Sequence, residues 1–284
     1  EEIWKIFRHK HKIYFQSFNV LYSFTGSTVT SKRFPSQISY CYPVEEHLYI
    51  ASVRDGVYKL EDDHFKKAAA WPQLTNNIIH GIAKNKGQYY FFTKSDGIYT
   101  GNNISVQRWK NALNDRLKDD IILTANFINA NTLAIGTALR GLYIVDMANG
   151  SYKSINRGNV LKNNAVLSIA SDKENDLWLG LDNGIAHIEI NSPVEIFSDN
   201  SGVLGSVYSL SRLNTGYLLA TNHGLFEHKD KAFSTLPSSQ GQVWDIHRDR
   251  NRYIIGHNDG TFVYQDCHLE KVNSVSGGWE LMQG

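Results

Sequence analysis

The chain has 284 residues, with 29 Lys and Arg against 28 Asp and Glu, for a formal net charge of +1. Without a long basic run, that balance argues against direct nucleic-acid binding by this chain, and no apolar stretch approaches the roughly 18 residues a membrane span needs. Cys41 and Cys267 are the two cysteines; they are too few for a disulfide framework or a CxxC metal pair and read as free thiols.

The chain opens on Ile3-Trp4-Lys5-Ile6, already inside a pattern that recurs to its end, and reads as a piece of a longer protein. Each copy starts with two apolar residues three apart, as in Ile79/Ile82, Val166/Ile169, Val207/Leu210 and Val243/Ile246. A polar turn follows, then a nearly continuous apolar run such as Leu48 to Ala51, Tyr89 to Phe92 or Tyr253 to Gly256. Such a run predicts a strand covered on both faces, since a sheet with one wet face would alternate. Tight hairpins come next at Gly56, Gly97, Gly141, Gly184, Gly224 and Gly260, spaced 41, 44, 43, 40 and 36 apart. Glycine suits such turns because they need positive φ.

A third strand begins after each turn glycine, and a more polar fourth strand ends each unit. The fourth strands are expected at 65–71, 106–109, 152–155, 194–197, 233–236 and 269–272. Four strands per period of about 40 residues predict an all-β fold, a seven-bladed β-propeller of four-stranded antiparallel blades. The blades span about 1–36, 37–76, 77–120, 121–164, 165–205, 206–241 and 242–273, and 274–284 reads as the start of a further blade. The longer connection Asn111 to Asp120 is expected to be a solvated loop, with a helical turn capping the opening as the alternative.

The fifth copy carries the most specific signal: Val166-Leu167-Ser168-Ile169, Asp172, Asp176-Leu177-Trp178-Leu179-Gly180 and Asn183-Gly184-Ile185. It resembles the two-component regulator propeller repeat, and the opening EEIWKI with KIYFQSF is similar to the subgroup that ends in a triple-tyrosine domain, a membrane helix and a cytoplasmic output module. The resemblance implies a periplasmic or extracytoplasmic sensing part of an inner-membrane signal-transduction and transcription regulator. Its implied ligand is a small molecule or an oligosaccharide, and contact with the membrane would come through other parts of the chain. Pairing of two copies through a propeller surface is a further expectation.

Candidate ligand residues come from comparing the internal copies. The residue after the first kernel position reads Trp4, Ser39, His80, Leu123, Leu167, Tyr208 and Trp244, so packing alone does not dictate it. Trp4, Tyr208 and Trp244 would offer aromatic platforms to a sugar ring and His80 a hydrogen-bonding partner; the competing reading is that these rings fill space between blades. Around the turn glycines, Arg140, His223 and Asp259 would line a polar rim together with Asp55, Asp96 and Asn183. Asp, Asn and His also suit turns for their own geometry, whereas Arg140 offers a planar fork for carboxylate or sulfate. No metal-ligand spacing emerges and no cofactor is expected. The alternatives to a non-enzymatic sensor are a propeller polysaccharide lyase, in which His80, Tyr208 and Arg140 would meet, and a protein-interaction scaffold.

Overall fold

The computed structural model describes residues 2–192, 201–229 and 232–281. Residues 1–196 form one compact unit holding five sheets, and residues 197–284 form a second holding two.

In the first unit, the first sheet comprises β1 (Lys5–His9), β2 (Lys12–Gln16), β3 (Val20–Thr25) and β4 (Thr28–Arg33). The second comprises β5 (Ile38–Val44), β6 (His47–Ser52), β7 (Val57–Glu61) and β8 (His64–Lys67), and the third β9 (Ile79–Asn85), β10 (Gln88–Thr93), β11 (Ile98–Gly101) and β12 (Val106–Arg108). Helix α1 (Ala112–Asp120) leads into the fourth sheet of β13 (Ile122–Asn129), β14 (Thr132–Thr137), β15 (Leu142–Asp146) and β16 (Tyr152–Ile155). The fifth holds β17 (Val166–Ser171), β18 (Leu177–Leu181) and β19 (Gly184–Ile188); its expected fourth strand at 194–197 lies outside the described residues.

The second unit comprises β20 (Val207–Leu213), β21 (Gly216–Thr221), β22 (Leu225–Lys229) and β23 (Ala232–Thr235), then β24 (Val243–Asp249), β25 (Arg252–His257), β26 (Gly260–Gln265) and β27 (His268–Asn273). Every sheet pairs its strands antiparallel and in chain order. The expected all-β class of antiparallel blades is therefore what forms.

Burial follows the hydrophobic pattern. Strands β6, β10 and β14 are buried on both faces, because their sheets have neighbours on each side within the first unit. By contrast β2 and β18 alternate, and Ile6, Ile13, Trp178 and Ile185 stay exposed on the end sheets of that unit. Aromatic residues dominate the cluster between the second and third sheets, where Trp71 touches Tyr49, Tyr89 and Phe91. At about 25 cal/mol per Å² of apolar surface, each such side chain contributes about 1.5 to 3 kcal/mol.

The connection at 111–120 corrects the expectation of a solvated loop: it folds as α1. Asn111 caps it, accepting from the Leu113 N–H at 2.8 Å, and its amide also donates to the Gly150 carbonyl. Leu113 and Leu117, one helical turn apart, are fully buried in the cluster between the third and fourth sheets. Asn114 is buried with them and holds Ile98 through both its amide groups. Gly97, at φ +73°, allows this contact, since a Cβ there would collide with the Asn114 side chain.

In the second unit, the segment after β27 runs beside β24 and β25. Gly278 lies against Gly256, and the Leu281 N–H donates to Asp245 Oδ2 at 3.0 Å.

Candidate functional site

Polar bonds tie the first strand of one sheet to the first or second strand of the sheet beside it, and these bonds engage much of the chemistry of those strands. Lys5 Nζ donates to the Cys41 carbonyl at 2.8 Å, Gln16 Nε2 to the Ser39 carbonyl at 3.0 Å and Tyr42 OH to the Ile79 carbonyl at 2.8 Å. In the second unit Ser209 Oγ meets Asp245 Oδ1 at 2.9 Å. Polar groups on these strands therefore serve first as latches between blades.

His80 is one such latch, with Nδ1 lying 2.7 Å from the Ile122 carbonyl. A carbonyl oxygen can only accept, so Nδ1 carries the proton and Nε2 keeps its lone pair in the neutral ring. Burial lowers the His80 pKa, the bond to Ile122 partly opposes this, and the nearby Lys94 charge lowers it further. The imidazole is thus held neutral, with Tyr40 edge-on at 6.0 Å between ring centres.

The backbone that receives His80 is the strap Asp120-Ile121-Ile122, where α1 turns into β13. Lys94 accepts from the Ile122 N–H at 3.0 Å, and the Ala138 N–H donates to the Ile121 carbonyl at 2.9 Å. Asp120 is 5% exposed and accepts from Tyr143 OH at 2.7 Å. Arg140 Nε stands 3.7 Å from the other Asp120 oxygen, with 66% of the Arg140 side chain open to solvent. Tyr143 is pushed up to about 12, first by burial and then by its bond to Asp120, and stays a neutral donor. Ile121 has φ 58° and ψ 97°, a conformation costly for a β-branched residue and of the kind that collects at functional sites.

Two of the predicted residues contact this strap, His80 at Ile122 and Arg140 at Asp120. Trp4 lies apart on the first sheet, half exposed and packed against Phe18 at 4.9 Å. Tyr208 and Trp244, in the second unit, stack on one another at 4.8 Å and 25°, and Trp279 follows at 6.0 Å from Trp244. Their mutual stacking occupies ring faces a sugar would need, and Trp244 Nε1 is engaged by Asn258. Trp4, Tyr208 and Trp279 nevertheless keep much of their surface open to solvent.

Residues at the turns are largely explained by the turns themselves. His223 Nδ1 is 3.0 Å from the Val203 carbonyl, and its backbone N–H donates to Thr221 Oγ1. The Asp259 N–H donates to His257 Nδ1 at 2.9 Å, and its carboxylate is exposed. Asp96 is taken by Tyr99 and Arg108. Comparison of the copies shows a recurrent partner that the glycine spacing alone did not reveal: the last residue of the second strand. Ser52, Thr93, Thr137 and Thr221 each accept a turn N–H through a buried hydroxyl, and His257 does the same through Nδ1. Asp120, Ile121, Tyr143 and Lys94 were also missed, because they meet only through α1 and the loops around it.

The Asp172 of the fifth copy closes the β17–β18 turn. Its Oδ1 accepts from the N–H groups of Glu174 and Asp176, and its Oδ2 from Trp178 Nε1 at 3.2 Å. His187 Nε2 lies 3.4 Å from the same oxygen. Ligand atoms of Asp172, Asp176 and His187 fall within 4.8 Å of one another, but the Asp172 oxygens are already committed to the turn and to Trp178. A cleft of about 200 Å³ opens elsewhere, beside His9, His11, Glu46 and Asp63.

Compared with solved structures, the chain superposes on the extracellular domain of the one-component system BT4673 from B. thetaiotaomicron with a TM-score of 0.56 and 17% identity, over 93% of this chain and 40% of that one. The extracellular domain of the hybrid two-component system BT3049 from the same organism gives a TM-score of 0.53 and 17% identity, over 96% and 47%. This chain has the fold of those extracellular propeller domains. It spans less than half the length of either. PorZ, a surface component of the type-IX secretion system of Porphyromonas gingivalis, also matches, with a TM-score of 0.50 and 13% identity over 97% of this chain and 39% of that one. No family model and no curated protein matches the chain in sequence.

Proposed function

We propose that this chain is an extracytoplasmic ligand-sensing propeller module of a membrane-anchored signal-transduction regulator, and that its ligand is an oligosaccharide. The observation that carries this reading is that His80 is anchored on Ile122 and Arg140 on Asp120, two residues apart on one strap, in a chain with the fold of extracellular domains of one-component and hybrid two-component systems. A neutral imidazole with a free lone pair accepts from a hydroxyl, and an open guanidinium binds an acceptor group. Both are recognition chemistry suited to a polar, hydroxyl-rich ligand.

A thermal-shift screen against acidic and neutral oligosaccharides tests this. A ligand at about 100 times its Kd stabilises the fold by about 2.7 kcal/mol, enough to read as a shift. A shift with the ligand recovered intact supports sensing, and no shift with any oligosaccharide overturns it. A second reading, a polysaccharide lyase, draws on the same neutral His80 as base and Arg140 as charge neutraliser; unsaturated product in the mixture would favour it. Tyr208, the third residue of that reading, lies in the second unit, stacked on Trp244.

A further inference from the structure

The sensor reading leaves open which sugar chemistry is recognised, and the strap narrows it. Among the described residues, Arg140 meets one carboxylate through Nε, and its terminal nitrogens make no hydrogen bond or ion pair. The buried Asp120 takes up that contact together with the Tyr143 hydroxyl, so an incoming group meets the free edge of the guanidinium. Lys94, on the neighbouring β10–β11 turn, is tied to Ile122 through its own carbonyl and keeps its exposed ammonium. The Lys94 charge acts on His80, and the Arg140 guanidinium stands at Asp120.

The two anchors are close in the chain. His80 is anchored on Ile122 and Arg140 on Asp120, two residues away, a stretch of backbone of at most about 7 Å. The two ends differ in kind: one is an acceptor that wants a hydroxyl hydrogen, the other a planar donor fork that wants two oxygens.

Building on the sensor reading, we propose that the Asp120–Ile122 strap forms a subsite for a carboxylated sugar. The carboxylate sits on the Arg140 fork with Lys94 beside it, and a ring hydroxyl donates to His80 Nε2. A neutral sugar satisfies the His80 end and leaves the Arg140 end without an acceptor better than water. Ile121, at φ 58°, lies between the two anchors.

The test is an NMR titration of the 284-residue chain with glucuronate and, separately, glucose, following the His80 ring and Arg140 side-chain resonances, with Arg140→Gln and Arg140→Lys variants. Expected are shifts at both residues with glucuronate, little movement with glucose, weakening by salt, and an affinity loss of about tenfold in R140Q. R140K should recover only part of that loss, since an ammonium lacks the fork. Equal response to the two sugars, glucuronate binding that leaves His80 and Arg140 unmoved, or full binding by a folded R140Q would overturn the subsite. A neutral oligosaccharide binding elsewhere would sink the subsite and leave the sensor reading standing; glucuronate binding with no response to any oligosaccharide would do the reverse.

Discussion

His80 shows how one side chain answers to two demands. Its Nδ1 latches two blades, and the same bond settles which nitrogen stays open. Because its folded-state pKa is lowered, the unfolded chain binds the proton more readily. The stability this supplies is complete above the ordinary imidazole value of about 6.5 and is lost as pH falls through the lower folded-state value. Denaturant melts between pH 8 and 5 should therefore slope downward with acid, less steeply in His80→Gln; His9 and His47, shifted the same way, keep a residual slope in the variant. Equal slopes in the two proteins would refute the assignment. At Thr137 the hydroxyl donates to the Gly141 carbonyl and accepts from the Arg140 N–H, fully buried. Thr137→Val leaves both partners short of a bond and should cost about 1 to 3 kcal/mol in urea unfolding, with weaker ligand binding because the Arg140 turn loosens.

Helix α1 is the element that departs from the blade plan, and it positions the strap. Its formation rests on one cap and two leucines rather than on intrinsic propensity, since an isolated helix this short is marginal in water. Leu117→Ala should cost about 2 to 5 kcal/mol as a cavity between the third and fourth sheets. Removal of the Asn111 cap by Asn111→Ala should cost about 1 kcal/mol, and more through the lost Gly150 bond. Urea midpoints read both, and an L117A midpoint within error of the parent would show that the leucine is not packed as described.

Across the molecule, the two thiols report on different surroundings. Cys41 is buried on β5 and its thiol is pushed up to about 12 by burial, with the Lys5 charge acting the other way; Cys267 is exposed. Iodoacetamide, which needs the thiolate, should label Cys267 alone in the native protein and both after denaturation. Mass spectrometry of the alkylated peptides decides it: rapid native labelling of Cys41 would contradict the packing of the first sheet on the second.

The blades themselves were legible in the residues because antiparallel hairpins are local. A nearly continuous apolar second strand, a polar turn and a positive-φ glycine such as Gly97 or Gly141 mark each meander over about 40 residues, and all six turn glycines do take positive φ. What the sequence alone determined is therefore the all-β class, the blade order and the turns. Contacts between blades join residues some 40 positions apart, and there the pattern is silent. Only the tertiary structure decided that Trp244 would spend its face on Tyr208, that 111–120 would fold as a helix, and that His80 and Arg140 would share one strap. In each case the partner is supplied by a distant part of the chain, and a side chain's chemistry becomes available only where packing leaves it unspent.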